Sequence, residues 1–317
     1  MGDEEILRKH YLDPASKTAF GGAPPVFRAL KKTIPENQIY EWLQGQDTFT
    51  LHRPVRHRFP RLHYNVTNVD DLHEIDLCDM QSIKSYNDGY AYLFVVIDVL
   101  SKYAWIEPVK NKTNKAVTAA FQKILKSSGR KPLTVQSDSG TEFTGSEFQK
   151  FLKKNDINFR IARSPDTKAC IAERFNRTIK SKIWRYFTFA NTKRYIDILQ
   201  DLVKGYNNSI HTSIKMTPAS VTLENAHQAL SNIRKKFKPT IRKAKYSVNQ
   251  HVRISRSRGV FEKGYVAGYT EEIFKIVKVL HHREPPVYVL EDFNGEEVKG
   301  IFYEEELSPV IIKPATL

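Results

Sequence analysis

The feature that most constrains this chain is a run of apolar residues from Ala91 to Ile97, closed by Asp98. It is far short of the ~20 residues that cross a bilayer. It reads instead as a strand buried on both faces of a sheet. Leu72–Met80 and Tyr103–Val109 read as strands on either side of it in sequence. The turn signal Asn87-Asp88-Gly89 joins the first pair, and the short link Leu100–Lys102 joins the second. The spacing of Ala116, Ala119, Ala120, Phe121, Ile124 and Leu125 predicts a helix, stopped at Ser127-Ser128-Gly129. Beyond it, Pro132–Ser137 and Ile157–Ile161 read as strands around a helix at Phe148–Lys154. Two longer helices are predicted over Lys168–Phe189 and Thr192–Asn208. A three-strand meander followed by alternating α and β implies a mixed sheet with helices on both faces.

Regions of different composition flank this segment. Residues 1–66 carry short helical patterns, including Glu36–Gln44 with Ile39, Trp42 and Leu43 on one face. They end in a basic stretch, Arg53, Arg56, Arg58 and Arg61, which we read as an extended segment suited to phosphates. Residues 226–317 begin with a basic, proline-interrupted linker at Ser231–Lys245. Short runs follow at Gln250–Ser255, Ile273–Leu280, Val287–Leu290 and Val298–Phe302, which suggest a small barrel. Between Arg234 and Lys263 there are eleven Lys or Arg and one acid, Glu262. With 50 Lys+Arg against 35 Asp+Glu, the formal charge is +15. That surplus points to a polyanionic partner, nucleic acid first. Two cysteines, Cys78 and Cys170, exclude a disulfide scaffold. The acidic start lacks a signal-peptide apolar run, so an intracellular protein without a membrane segment is expected.

Three carboxylates sit where chain ends could converge. Asp76 lies within the first strand. Asp138 follows an apolar strand in Ser137-Asp138-Ser139-Gly140, at the carboxyl end where α/β sheets place ligands. Glu173 opens the helix at 168–189. On that helix Phe175, Ile179, Ile183 and Phe187 should pack on the sheet. Glu173, Asn176, Arg177, Lys180 and Trp184 form a separate stripe. Periodicity alone also allows an ordinary surface Glu paired with an Arg. If the carboxylates converge, they offer the oxygen ligands that Mg²⁺ prefers. Two ions ~3.5–4 Å apart would then suit in-line displacement at phosphorus.

The strings Glu74-Ile-Asp-Leu-Cys-Asp-Met80, Thr134-Val-Gln-Ser-Asp-Ser-Gly-Thr-Glu-Phe143 and Ile171-Ala-Glu-Arg-Phe-Asn-Arg-Thr-Ile-Lys180 resemble the three signature blocks of the retroviral-type integrase superfamily. Ile97–Trp105, Tyr206-Asn-Asn208, His211 and Thr217-Pro218 extend the likeness. Trp42–Thr48 and Phe302–Leu307 bring it closest to the integrases of Maverick/Polinton DNA transposons. The resemblance implies an RNase H-like catalytic core over 67–225. A helical N-terminal DNA- or protein-binding module over 1–66 and a basic linker with an SH3-like C-terminal barrel over 226–317 would flank it. It implies Asp76, Asp138 and Glu173 as ligands of Mg²⁺ or Mn²⁺, with two ions. It also implies trimming of DNA 3′ ends and their transfer into target DNA, by a homodimer or tetramer assembled on the DNA in the nucleus. Asn176 and Lys180 match helix positions facing donor DNA. The family's zinc-binding His-His-Cys-Cys domain has no counterpart here, because both cysteines lie inside the core, so no structural zinc is expected. For DNA contact the candidates are Arg53, Arg56, Arg58, Arg61, Asn176, Arg177, Lys180, Arg253, Arg256 and Arg258. Two other functions remain open at this stage: an RNase H-like nuclease that cleaves without joining, and a domesticated DNA-binding protein without activity.

Overall fold

The computed structural model describes residues 2–31, 33–56, 58–62, 64–162, 170–236, 242–256, 263 and 265–312. Contacts group the chain into two units, one of residues 63–238 and one of residues 1–62 with 239–317. Each folds around its own apolar clusters.

Four short helices open the chain: α1 (Asp3–Leu12), α2 (Ala23–Ala29), α3 (Glu36–Gln44) and α4 (Asp47–Thr50). Helix α3 has the predicted bounds. It buries Ile39 and Leu43 completely, against Leu7, Tyr11 and Val26.

The 63–238 unit is built on a five-stranded sheet of β1 (Leu72–Asp79), β2 (Tyr92–Asp98), β3 (Ala104–Val109), β4 (Thr134–Ser137) and β5 (Asn158–Ile161). Their order is β3-β2-β1-β4-β5, antiparallel through β3, β2 and β1 and parallel from β1 to β4 to β5. The apolar run at 91–97 is strand β2, flanked by neighbours on both sides, as its composition demands. Alternation divides its side chains between two cores. Leu93, Val95 and Ile97 face one cluster, and Phe94 and Val96 face the other. A 3₁₀ turn (Gln81–Tyr86) precedes the Asn87-Asp88-Gly89 reversal, where Asp88 and Gly89 have φ of 54° and 79°.

Helix α5 (Asn114–Ser128) covers one face. Thr113 caps it at its start, and Gly129 at φ 66° ends it. Helices α6 (Thr141–Thr144) and α7 (Ser146–Lys154) complete that layer, with Phe121, Phe143 and Phe148 buried beneath. Helix α8 (Cys170–Ala190) covers the opposite face, and α9 (Leu199–Asn207) packs beside it. Sequence periodicity starts the second of these at Thr192. The structure starts it at Leu199, after a single 3₁₀ turn over Ile196–Ile198. Helix α10 (Ala226–Lys236) ends the unit, so the first part of the expected linker at Ser231–Lys245 is helical. Its Ala226 and Ala229 are buried with Leu72, Val99 and Ile214, and this burial holds the helix in place.

The second unit contains β6 (His251–Ile254), β7 (Phe274–Leu280), β8 (Val287–Glu291), β9 (Phe302–Tyr303) and β10 (Leu307–Val310) in one antiparallel sheet, ordered β10-β6-β7-β8-β9. Val252, Ile276, Tyr288 and Leu290 form its core. The strand expected at Val298–Phe302 is reduced to Phe302–Tyr303, and β10 went unforeseen because Pro309 interrupts its pattern.

Strand β3 is an edge of its sheet, and its free backbone is satisfied by side chains. Asn207 accepts from the Ala104 N–H at 2.9 Å and donates to the Ala104 carbonyl at 2.9 Å. Gln200 donates to the Ile106 carbonyl at 2.9 Å. An amide side chain thus takes the place of a neighbouring strand and blunts the edge. Asn207→Ala would strand a buried donor and acceptor, and should lower unfolding free energy by about 2 kcal/mol in urea denaturation.

Candidate active site

The three carboxylates singled out in the sequence lie on β1, just after β4, and in the first turn of α8. Strands β1 and β4 run parallel with Leu72 beside Thr134, His73 beside Val135 and Glu74 beside Gln136. Two residues further along come Asp76, within β1, and Asp138, one residue past the end of β4. Parallel neighbours lie roughly 4.8 Å apart, so this register directs Asp138 toward Asp76 at the carboxyl end of β4. Asp138 is half-buried, and its Oδ1 accepts from the Gly140 N–H at 3.0 Å, which shapes the turn leaving the strand.

Glu74, Asp76 and Cys78 alternate onto the face of β1 that meets α8. Helix α8 buries Ala172, Phe175, Asn176, Ile179 and Ile183 against that face. Glu173, next to this stripe, is exposed, as is Arg177, and Lys180 is half-buried. Phe175, Ile179 and Ile183 pack as their spacing predicts. Asn176 does not belong to the open stripe. It is buried, and its Nδ2 donates to Asp76 Oδ2 at 2.8 Å. Asp76 Oδ1 accepts from the Leu77 N–H at 2.8 Å.

The electrostatics of Asp76 record the crowding. Burial pushes its carboxyl up to about 6, the bond from Leu77 N–H opposes the shift, and the charges of Asp138, Glu173 and Glu74 add to it. A half-buried carboxylate facing other carboxylates is an environment short of positive charge. Its donors are hard oxygens, which suits Mg²⁺ or Mn²⁺ rather than a softer metal. Glu74, which the sequence reading left without a role, is fully buried, and its Oε2 accepts from the Ile171 and Ala172 N–H groups at 2.9 Å each. One signal for it existed: Glu74 shares the face of Asp76 by strand alternation.

Among the described residues, one set of three metal-capable side chains has all its ligand atoms within 4.8 Å, namely Asp70, His73 and Asp98. Asp76, Asp138 and Glu173 stand wider apart than that. The tighter cluster already contains a cation. Arg130 Nε donates to both Asp70 oxygens, at 2.9 and 3.0 Å, and its Nη2 lies 3.3 Å from Asp98. His73 Nε2 sits 2.8 Å from Asp70. Burial would raise Asp70, yet the bonds from His73 and Arg130 hold it below the ordinary carboxylate range. Asp98 also accepts from the Ser101 N–H and hydroxyl, which starts the turn leaving β2. This cluster locks the β2–β3 link and is neutralised from within the protein.

The basic candidates separate in the same way. Arg56 and Arg58 are exposed, and Arg53 is half-buried beside Phe49. Arg61 lies over Phe59 at 4.5 Å and 3.7 Å from Glu306. Arg256 is exposed, while Arg258 lies outside the described residues. Arg253 corrects the sequence reading. It is 3% exposed, its Nη2 is 2.7 Å from Asp47, its Nε donates to Thr50 at 3.2 Å, and its Nη1 bonds the Thr270 and Glu271 carbonyls. A guanidinium so enclosed cannot reach a phosphate. It ties α4 to the sheet of its own unit.

Asp76 makes metal-free stability depend on pH. Unfolded, it titrates near the ordinary carboxylate value of 3.8; folded, near 6. Between those values the folded chain holds a proton that the unfolded chain has released, so stability falls as pH rises through the window and stays reduced above it. Relative to Asp76→Asn, wild type should lose on the order of 2–3 kcal/mol between pH 4 and pH 7. Parallel urea melts of the two proteins without divalent ions measure this. Curves that keep a constant separation across that range would contradict the assignment.

Comparison with known proteins bears on the fold. Residues 69–166 match the integrase core domain family. An uncharacterised transposon-derived protein of Caenorhabditis elegans is 35% identical over 197 residues, covering 62% of this chain and 65% of that protein. The Pro-Pol polyprotein of feline foamy virus is 27% identical over 134 residues, 42% of this chain and 11% of the polyprotein. The chain thus spans less than two thirds of either relative. Among solved structures, a chain of the simian T-cell lymphotropic virus intasome in complex with PP2A regulatory subunit B56 gamma superposes with TM-score 0.65 over 92% of this chain and 96% of that one. At 14% identity, that likeness is one of fold. Residues 69–166 are therefore similar to integrase core domains, and the chain has relatives among transposon-derived and retroviral proteins.

Proposed function

We propose that this protein is a DNA integrase or transposase that trims DNA 3′ ends and transfers them into target DNA. The observation that supports the reading is that Asp76 feels the charges of both Asp138 and Glu173, with β1 and β4 paired in parallel just before the two aspartates. Asp76, Asp138 and Glu173 would hold Mg²⁺ or Mn²⁺, two ions in all. Bound there, such ions activate an attacking hydroxyl and stabilise the departing oxygen at phosphorus. The chain's own part is to fix three carboxylates on rigid elements. Asn176 orients one Asp76 oxygen, and the Gly140 N–H orients one Asp138 oxygen.

In this reading, 67–225 is the RNase H-like core, 1–66 is a helical DNA- or protein-binding module, and 226–317 is a linker and SH3-like barrel. Five short antiparallel strands around one apolar cluster support the last assignment. Closest kinship to Maverick/Polinton integrases, a nuclear location and a homo-oligomer on DNA complete the proposal. No helix among the described residues is long and apolar enough to cross a membrane. Arg53, Arg56, Arg58, Arg61, Arg177, Lys180, Arg256 and Arg258 are the proposed phosphate contacts. Arg56→Ala and Arg58→Ala should each flatten the dependence of log K on log salt by about one, measured by fluorescence anisotropy with duplex DNA. Arg253→Ala should instead lower the melting temperature.

The central test uses purified protein with Mn²⁺, a labelled duplex bearing the element's terminal sequence, and a supercoiled plasmid. Labelled end joined to plasmid is expected, and Asp76→Asn, Asp138→Asn and Glu173→Gln should each reduce joining by about 100-fold or more, since losing even a group that only orients a metal ligand costs roughly 10–100-fold. Nicked plasmid without joined product would make the protein a nuclease only. Joining that survives Glu173→Gln would remove that residue from the triad.

A further inference from the structure

The buried Glu74 makes contacts whose consequence reaches the site. Helix α8 begins at Cys170, so the N–H groups of Ile171 and Ala172 belong to its first turn. Such groups have no partner within the helix and ordinarily bond a capping side chain close by in sequence. Here both bond one carboxylate oxygen, Glu74 Oε2, at 2.9 Å, from a strand 97 and 98 residues away. The acceptor oxygen is favourably placed, since it meets the positive end of the helix dipole.

The anchor has a fixed relation to the candidate catalytic groups. Glu74 and Asp76 are i and i+2 on β1 and face α8 together. Glu74 grips residues 171 and 172, and Asp76 grips Asn176. Glu173 lies between those two points of attachment, one residue past the Glu74 contact. We propose that Glu74 is a positioning residue. It docks the first turn of α8 on β1 and so sets where Glu173 stands relative to Asp76. The proposal rests on the triad reading above. It assigns no contact of Glu74 with metal or DNA.

The test compares Glu74→Gln and Glu74→Ala with wild type in the full chain. Gln keeps a carbonyl oxygen able to accept both N–H groups, and Ala leaves them unpartnered. Hydrogen exchange of wild type, without metal or DNA, should show the Ile171 and Ala172 amides protected, unlike those of an ordinary exposed first turn. Glu74→Gln should keep that protection and stay within about threefold of wild type in joining, because a neutral acceptor conserves the bond. Glu74→Ala should raise the Mn²⁺ concentration for half-maximal joining, and for half of the metal-induced melting shift, by roughly 10–100-fold, the usual cost of losing a group that orients a metal ligand. Excess Mn²⁺ should restore part of its activity, and its affinity for duplex DNA should be unchanged. A merely structural Glu74 would reduce the folded fraction and leave the metal dependence as in wild type.

Wild-type amides that exchange freely overturn the proposal, and this result does not require any variant to fold. Unaltered Mn²⁺ dependence in folded Glu74→Ala also overturns it, as does a Glu74→Gln protein as impaired as Glu74→Ala. These failures are separable from failure of the triad. If Asp76→Asn and Glu173→Gln abolish joining while Glu74→Ala is normal, the triad stands and the positioning role falls. If the triad variants still join, the triad reading itself falls.

Discussion

The parallel pairing of β1 with β4 is the constraint on which the site depends. A parallel ladder needs a crossover, and here β2, β3 and α5 supply it, so β4 can bring Asp138 toward Asp76 only once most of the sheet has formed. The pairing carries an electrostatic cost. Asp76 is pushed up to about 6 by burial and by neighbouring carboxylates. Apolar packing on both faces offsets that cost, with β1 contributing Ile75 to one core and Cys78 to the other. A register shift of one residue would exchange those faces and turn Asp76 away from α8.

Helix α8 is fixed to this frame in two chemically different ways. Phe175, Ile179 and Ile183 bury an apolar stripe, which holds the helix on the sheet but tolerates small slides and rotations. The directional contacts come from Glu74 and Asn176, each within hydrogen-bond reach of a single partner atom or pair of N–H groups. Nonpolar burial therefore supplies most of the adhesion, and two polar contacts near the helix start determine its axial position. The Asp70–Arg130–Asp98 network plays a comparable part on the other side of β1. There an internal guanidinium neutralises the carboxylates, whereas around Asp76 no cationic side chain among the described residues makes a hydrogen bond to the carboxylate.

Much of the core was legible in sequence because local patterns and tertiary demands agree there. The apolar run at 91–97 had to be central, the 175–179–183 spacing had to face a sheet, and Gly129 had to end a helix. Where patterns misled, packing decided. Asn176 sits at a boundary angle of α8, and only the position of Asp76 pulls it inward. Residues 192–198 carry helical spacing, but Tyr195 and Ile196 donate their backbone N–H groups to Asn87, which delays the start of α9. Glu74 was overlooked because a lone acid in an apolar strand has no meaning until its distant partner, the start of α8, is known.

Charge illustrates the same limit from the other side. A net +15 points correctly to a polyanion as a class of partner, but it does not distinguish a cation offered to solvent from one used internally. Arg253 and Arg256 are three residues apart in the densest basic segment. The first is enclosed by Asp47, Thr50 and two carbonyls, and the second is exposed. Strand alternation brings Arg253 inward on β6, and α4 supplies the acid and hydroxyl that make its burial tolerable. The N-terminal helices and the C-terminal sheet, although remote in sequence, are thereby joined by a cation that composition alone assigns to DNA. Deleting either segment should expose the partners of Arg253 in the other. Truncation of one terminal region is thus expected to unsettle its companion within the same unit, and loss of DNA binding in such a truncation would not by itself locate the binding surface.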